Sequence, residues 1–208
     1  MSKRTVLAWM DLETTGLDAE NGRMLEYAVI FTDLELNELD AVTDIIPQNV
    51  GIARAMMGDY VTEMHTKNGL LEALEAVKTN APLYADSMEQ TDIKLANSFA
   101  LVKNQDKDVV FVIAGSNVLF DVKWMMEHMP ETLEYIDHRG VIDGPESYRC
   151  LDVSSYKVGF PALFKTSTSS AHRAMDDIRY SLGVQVRMKM IVDAGVTALS
   201  EQGVILGA

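Results

Sequence analysis

Thr5-Val6-Leu7-Ala8-Trp9-Met10-Asp11-Leu12-Glu13-Thr14-Thr15-Gly16-Leu17 decides how this chain is read. Thr5 to Asp11 is a short apolar run of strand type. Side chains in a strand alternate faces with period two. Leu7, Trp9, Asp11 and Glu13 therefore share one face if the strand continues. Two carboxylates at the end of an apolar face repel each other and lose solvation. A divalent cation between them resolves this. The other reading ends the strand at Met10 and leaves both acids solvated in a loop.

Further elements follow outward from that strand. Met24 to Thr32 is a second strand, and Leu39 to Ile46 a weaker third. The short polar connection from Thr32 to Glu38 makes them an antiparallel meander. Ile52 to Asn104 reads as helical, broken near Asn68-Gly69 and Asn80-Ala81-Pro82. Asp108 to Ala114 has the near-continuous apolar run of a buried strand. Gly115-Ser116-Asn117 then turns into a helix from Val118 to Met129. Arg149 to Val153 is a short last strand, and Ala171 to Val192 a long helix. The expected fold is α/β, a mixed five-stranded sheet flanked by helices. No linker or repeat is visible, so residues 1–208 form a single domain.

The 208 residues include 18 basic and 31 acidic side chains, a net charge of −13. Non-specific nucleic-acid binding depends on Lys and Arg neutralising phosphates, so a wide basic groove is excluded. A small pocket gripping one or two phosphates is allowed, as is a site recruiting divalent cations. No apolar run approaches the roughly 18 residues needed to cross a bilayer. The apolar stretch Val6 to Met10 is too short for a secretory signal. The single cysteine, Cys150, allows no internal disulfide. A soluble cytoplasmic protein with no membrane partner is expected.

Two more segments carry chemistry. Asp121 shares a helix face with Val118, Trp124 and Met125, so it projects from the apolar stripe. It follows the carboxyl end of a strand, where ligands bind in such sheets. The bland alternative is an acid in the first helical turn that favours the helix dipole. In His172-Arg173-Ala174-Met175-Asp176-Asp177, Asp177 falls on the apolar side with Ser181, Val184 and Met188. Asp176 falls on the polar side near Gly183 and Arg187. A lone histidine is usually structural, but His172 lies close to an inward carboxylate, as a general base would. Four acids in an oxygen-only set suit Mg²⁺ or Mn²⁺. Around two ions they would make a site for phosphodiester hydrolysis.

Asp11-x-Glu13, Asp121 and His172-x4-Asp177, in that order, resemble the DEDDh family of 3′-to-5′ exonucleases on the ribonuclease-H-like fold. Within it the chain is similar to the oligoribonucleases. The supporting stretches are Trp9 to Asp18, His65 to Leu70, Tyr148 to Ser154 and His172 to Arg179. The resemblance covers about residues 5–193 and leaves the tail 194–208 outside.

The resemblance implies a ribonuclease-H-like fold. It implies two Mg²⁺ or Mn²⁺ ions held by Asp11, Glu13, Asp121 and Asp177, with His172 as general base. It implies that Leu17 wedges against the substrate bases and that His65 lines the same pocket. Arg149 and Ser154 would cap the 5′ phosphate of a short single-stranded RNA. Tyr148 would reach the site from a second subunit, so a homodimer is implied.

Some positions depart from the family pattern. Thr14 stands where methionine is common, and Asn117 stands where the phosphate cap has serine. The region from His138 to Ser147 is expanded, and the segment between Ser154 and His172 is recast. The runner-up is a DEDDh exonuclease for single-stranded DNA or longer RNA. A third reading is a non-catalytic binding module that retains its metal ligands.

Overall fold

The computed structural model describes residues 4–77, 83–105, 108–136, 149–164 and 172–202. The expected mixed sheet is present. Its strands are β1 (Arg4–Thr14), β2 (Met24–Thr32), β3 (Glu38–Ile45), β4 (Val109–Gly115) and β5 (Leu151–Asp152). Their spatial order is β3-β2-β1-β4-β5. The β1–β2 and β2–β3 pairs are antiparallel, and β1–β4 and β4–β5 are parallel. This is the ribonuclease-H-like arrangement that the sequence suggested.

β1 is central and buried on both faces. Val6, Ala8, Met10 and Leu12 pack with Phe31, Phe99, Phe111 and Val122. The helices on that face are α4 (Tyr84–Gln105) and α5 (Val118–His128). Phe99 meets Phe31 edge-on at 4.7 Å and Phe111 at 4.9 Å between ring centroids, a preferred aromatic geometry. Leu7 and Trp9 point the other way, into a cluster with Ala28, Ile30, Ala174, Ile178 and Val184. The last three belong to the long C-terminal helix.

The sequence placed β1 only as far as Asp11. The strand runs to Thr14, because Leu12, Glu13 and Thr14 keep their pairing with β2. The solvated-loop reading of Asp11 and Glu13 is thereby removed. The region 52–104 divides into α1 (Val50–Ala55), α2 (Asp59–Lys67), α3 (Leu70–Ala76) and α4. The break at Asn68-Gly69 is as expected, since Gly69 has φ 76°. The Asn80-Ala81-Pro82 break lies outside the described residues.

Two short helices, α6 (Pro130–Leu133) and α7 (Ser154–Gly159), are too short to show periodicity. The last helix, α8, spans Ala174–Glu201 rather than starting at Ala171 and ending at Val192. Much of the tail is therefore helical, although its side chains beyond Val192 are exposed. Among the described residues, no helix is long and apolar enough to cross a membrane.

Candidate active site

The site lies where β1, α5 and α8 meet. Asp11 and Glu13 continue the Leu7–Trp9 face of β1 toward α8. Asp177 stands in the first turn of α8, and its N–H donates to the carbonyl of Arg173 at 3.0 Å. Carboxylate oxygens of Asp11, Glu13 and Asp177 all lie within 4.8 Å of one another. Asp176, the neighbour assigned to the polar side, is exposed.

Asp121 is buried beside this group. Its Oδ1 accepts the N–H of Leu12 at 3.1 Å. That bond ties the first turn of α5 to the strand between the two β1 acids. Asp121 is not part of the three-residue cluster, yet its charge acts directly on Asp11.

Electrostatics mark the site as short of positive charge. Burial, then Asp121, Glu13, Asp177 and Glu26, push the Asp11 carboxyl well above the usual carboxylate range. Burial, then Asp177 and Glu26, raise Glu13 from 4.5 to about 8, against a smaller opposing effect of Arg173. Burial likewise raises Asp121. Packed acids of this kind ionise together only if a cation joins them. The donors are all oxygens, so the residues fit a hard divalent metal ion.

His172 immediately precedes Arg173 and α8, with φ 47°, a left-handed backbone uncommon for a side chain other than glycine. Its carbonyl accepts a hydrogen bond from the Asn68 Nδ2 amide. Burial lowers the pKa of the nearby His65 imidazole, its bond to the Thr14 carbonyl opposes this, and the proximity of His172 adds a smaller lowering. His65 is fully buried. Its Nε2 sits 3.0 Å from the Thr14 carbonyl. A carbonyl only accepts, so Nε2 carries the proton. Nδ1 then faces Glu13 Oε2 at 3.9 Å. The residue that the resemblance assigns to the substrate pocket thus lies beside Glu13 of the acidic cluster.

Leu17 is 82% exposed on the turn after β1. That turn is tightly closed. Thr15 and Arg23 exchange two hydrogen bonds of 2.9 Å, one through the Thr15 hydroxyl. Gly22 fits where a Cβ would lie 2.4 Å from the Asp18 carbonyl and 2.5 Å from the Trp124 ring. An apolar side chain is thus held out on a rigid support.

Asn117 and Ser154, the residues expected at the phosphate cap, are joined through one acid. Asp152 of β5 accepts the N–H of Asn117 at 3.0 Å, of Val118 at 3.3 Å and of Ser154 at 2.8 Å. It caps α5, whose N-cap residue Asn117 makes no side-chain cap of its own. The backbone donors of Asn117 and Ser154 are therefore engaged, and the Ser154 hydroxyl also bonds Asp152, leaving the Asn117 side chain and the exposed Arg149 to meet a ligand. Tyr148 lies outside the described residues.

Sequence reasoning missed Asp152, Asn68, Glu26 and Arg173. The first had a signal in Asp152-Val153-Ser154, an Asx-turn pattern. Asn68 and Arg173 lie within stretches that carry the resemblance, though without an assigned role, and Glu26 had no signal because its partner is remote in sequence.

Known proteins resemble this chain in sequence and in fold. The family model described as exonuclease, of the RNase T type, matches residues 8–184. The oligoribonuclease of Pasteurella multocida is 32% identical over 181 residues, covering 85% of this chain and 88% of the relative. The mitochondrial oligoribonuclease of Mus musculus is 29% identical over 188 residues, covering 88% and 70%. A metal-free E. coli exonuclease I complex with single-stranded DNA superposes with a TM-score of 0.51 at 17% identity, over 93% of this chain. The chain spans 42% of that protein, and at this identity the likeness is one of fold.

Proposed function

Because this chain belongs to the RNase T-type exonuclease family, we propose that it is a divalent-metal-dependent 3′-to-5′ exoribonuclease acting on short single-stranded RNA. It releases nucleoside 5′-monophosphates. The convergence of Asp11, Glu13 and Asp177 within 4.8 Å carries this reading. Relatives named oligoribonuclease along most of the chain support the substrate class.

Asp11, Glu13, Asp121 and Asp177 hold the metal, for which the oxygen donor set favours two Mg²⁺ or Mn²⁺ ions. When bound, such ions stabilise the charge that builds on the scissile phosphate. His172 accepts the proton of the attacking water. The water oxygen bonds to phosphorus, the P–O3′ bond breaks, and a proton ends on the departing O3′. Leu17 covers the face of a terminal base. Arg149 and the Asn117 side chain meet the 5′ phosphate, with Ser154 held beside them by Asp152. A dinucleotide needs one such cationic grip and no basic groove, in keeping with the −13 charge. Tyr148 of the partner subunit would complete the site in a homodimer.

One observation favours a second reading, an exonuclease for longer RNA or single-stranded DNA. Asp152 engages the backbone donors at Asn117 and Ser154, so fewer donors remain to grip a terminal 5′ phosphate. A Mg²⁺ time course decides between the two. The panel is 5′-phosphorylated RNA and DNA of two, four, seven and twenty nucleotides, with an EDTA blank. Fast cleavage of the RNA dimer, falling steeply with length, establishes the first reading. Comparable cleavage of long RNA or DNA establishes the second. Absence of metal-dependent cleavage on every substrate overturns both.

A further inference from the structure

We propose that Glu26 is a positioning residue for hydrolysis: from β2 it clamps the start of α8 and so sets His172 and Asp177 against Asp11 and Glu13. The proposal rests on the roles given above to His172 and Asp177.

Glu26 is 4% exposed and lies opposite Glu13 across the β1–β2 pair. Arg173 Nε donates to both of its oxygens, at 3.1 and 3.0 Å, and Nη2 to Oε1 at 2.6 Å. Oε2 also accepts the N–H of Ala174 at 3.1 Å. Three N–H groups thus converge on this one carboxylate, the Nε–H being shared between its two oxygens. Glu26 is therefore unlike the three clustered acids: its charge is met by Arg173 without a metal.

The donors are those on which the site depends. Ala174 is the first residue of α8 and fully buried. Its N–H is one of the orphan donors of a helix start, and buried donors need a partner. Arg173 occupies the N-cap but makes no side-chain cap. Glu26, distant in sequence, caps the helix in its place. His172 precedes Arg173, and its carbonyl is held by Asn68. Asp177 lies one turn on, bonded through its N–H to the Arg173 carbonyl. The left-handed His172 is thus anchored on one side by Asn68 and on the other by Glu26.

Stability alone is a poor reason for such a pair, because apolar residues of similar volume often replace buried ion pairs without loss. Geometry at the site is a better one. Residues that orient ligands typically change metal affinity or activity by about 10–100-fold when removed.

The test uses Glu26→Gln, the double variant Glu26→Met/Arg173→Met, and Asp177→Asn as a control on the site itself. Three quantities are read: kcat and KM on a 5′-phosphorylated RNA dinucleotide, Mn²⁺ affinity of the substrate-free protein by calorimetry, and melting temperature. The double variant is expected to melt below the native protein, because the buried Ala174 N–H loses its acceptor, but to remain folded at the assay temperature. Its kcat falls about 10–100-fold with little change in KM, and it binds Mn²⁺ about tenfold more weakly. Glu26→Gln, which keeps an acceptor for Ala174, loses less. If Asp177→Asn abolishes turnover while the double variant keeps native kcat and Mn²⁺ affinity, the clamp is refuted and the site stands. If Asp177→Asn itself turns over normally, the site reading fails and the clamp with it. Should the double variant not fold, Glu26→Gln decides alone, with native kcat and Mn²⁺ affinity overturning the proposal.

Discussion

Glu13 and Glu26 stand directly opposite each other across β1 and β2, both buried and both on the face covered by α8. Like charges so placed destabilise a sheet. The two are resolved by different means. Glu26 is neutralised by Arg173 and caps α8. Glu13 joins Asp11 and Asp177 in a cluster that still lacks positive charge. A bulge lies beside the pair, where Thr14 is opposite Met24 and Leu25 is the extra residue.

Removing one clustered acid should therefore separate activity from stability. Asp11→Asn and Asp177→Asn are each expected to lower kcat by roughly a thousandfold or more. The metal-free variants should melt higher than the native protein, because a buried repulsion is gone. Dinucleotide hydrolysis and thermal melts read the two effects. A variant with near-native turnover would remove that residue from the site.

The metal-free protein should lose stability as pH rises from about 5 to 8. Glu13 is raised from 4.5 to about 8 in the folded state. Over that window the folded chain holds a proton that the unfolded chain has released, so unfolding becomes easier with increasing pH. Divalent metal reverses the penalty by pairing with the ionised form. The rise in melting temperature on adding Mn²⁺ should thus be larger at pH 8 than at pH 6. A metal increment that shrinks with pH would contradict this.

Asp152→Ala should destabilise the protein by about 1–2 kcal/mol, as expected for a lost helix cap. Three backbone donors, at Asn117, Val118 and Ser154, lose their acceptor together. Urea unfolding measures the change. Because α5 carries Asp121, kcat should fall as well, and an unchanged midpoint would show that water replaces the cap.

Arg149→Ala should raise KM for a 5′-phosphorylated dinucleotide by about tenfold, the value of one charge-assisted contact. The unphosphorylated dinucleotide should show little change. Equal losses on both substrates would place Arg149 outside the phosphate grip.

Gly22→Ala should cost about 1–3 kcal/mol through overpacking. The new Cβ would meet the Asp18 carbonyl at 2.4 Å, a backbone atom with little room to move. Denaturant unfolding gives the cost, and weaker dinucleotide binding would report the disturbance reaching Leu17.

Local periodicity was enough to place Asp11 and Glu13 on one face of β1 and to choose Asp177 over Asp176. Each needs only the repeat of its own element, two residues in a strand and 3.6 in a helix. The antiparallel meander of β1 to β3 was legible from apolar runs and the short polar turns between them, but the placing of β4 beside β1 was not. Tertiary structure alone decided the rest. Glu26 and Arg173 are 147 residues apart, Leu12 and Asp121 are 109 apart, and Asn68 and His172 are 104 apart. A hydrogen bond forms between whatever donors and acceptors folding brings within about 3 Å, and no local pattern marks its members in advance.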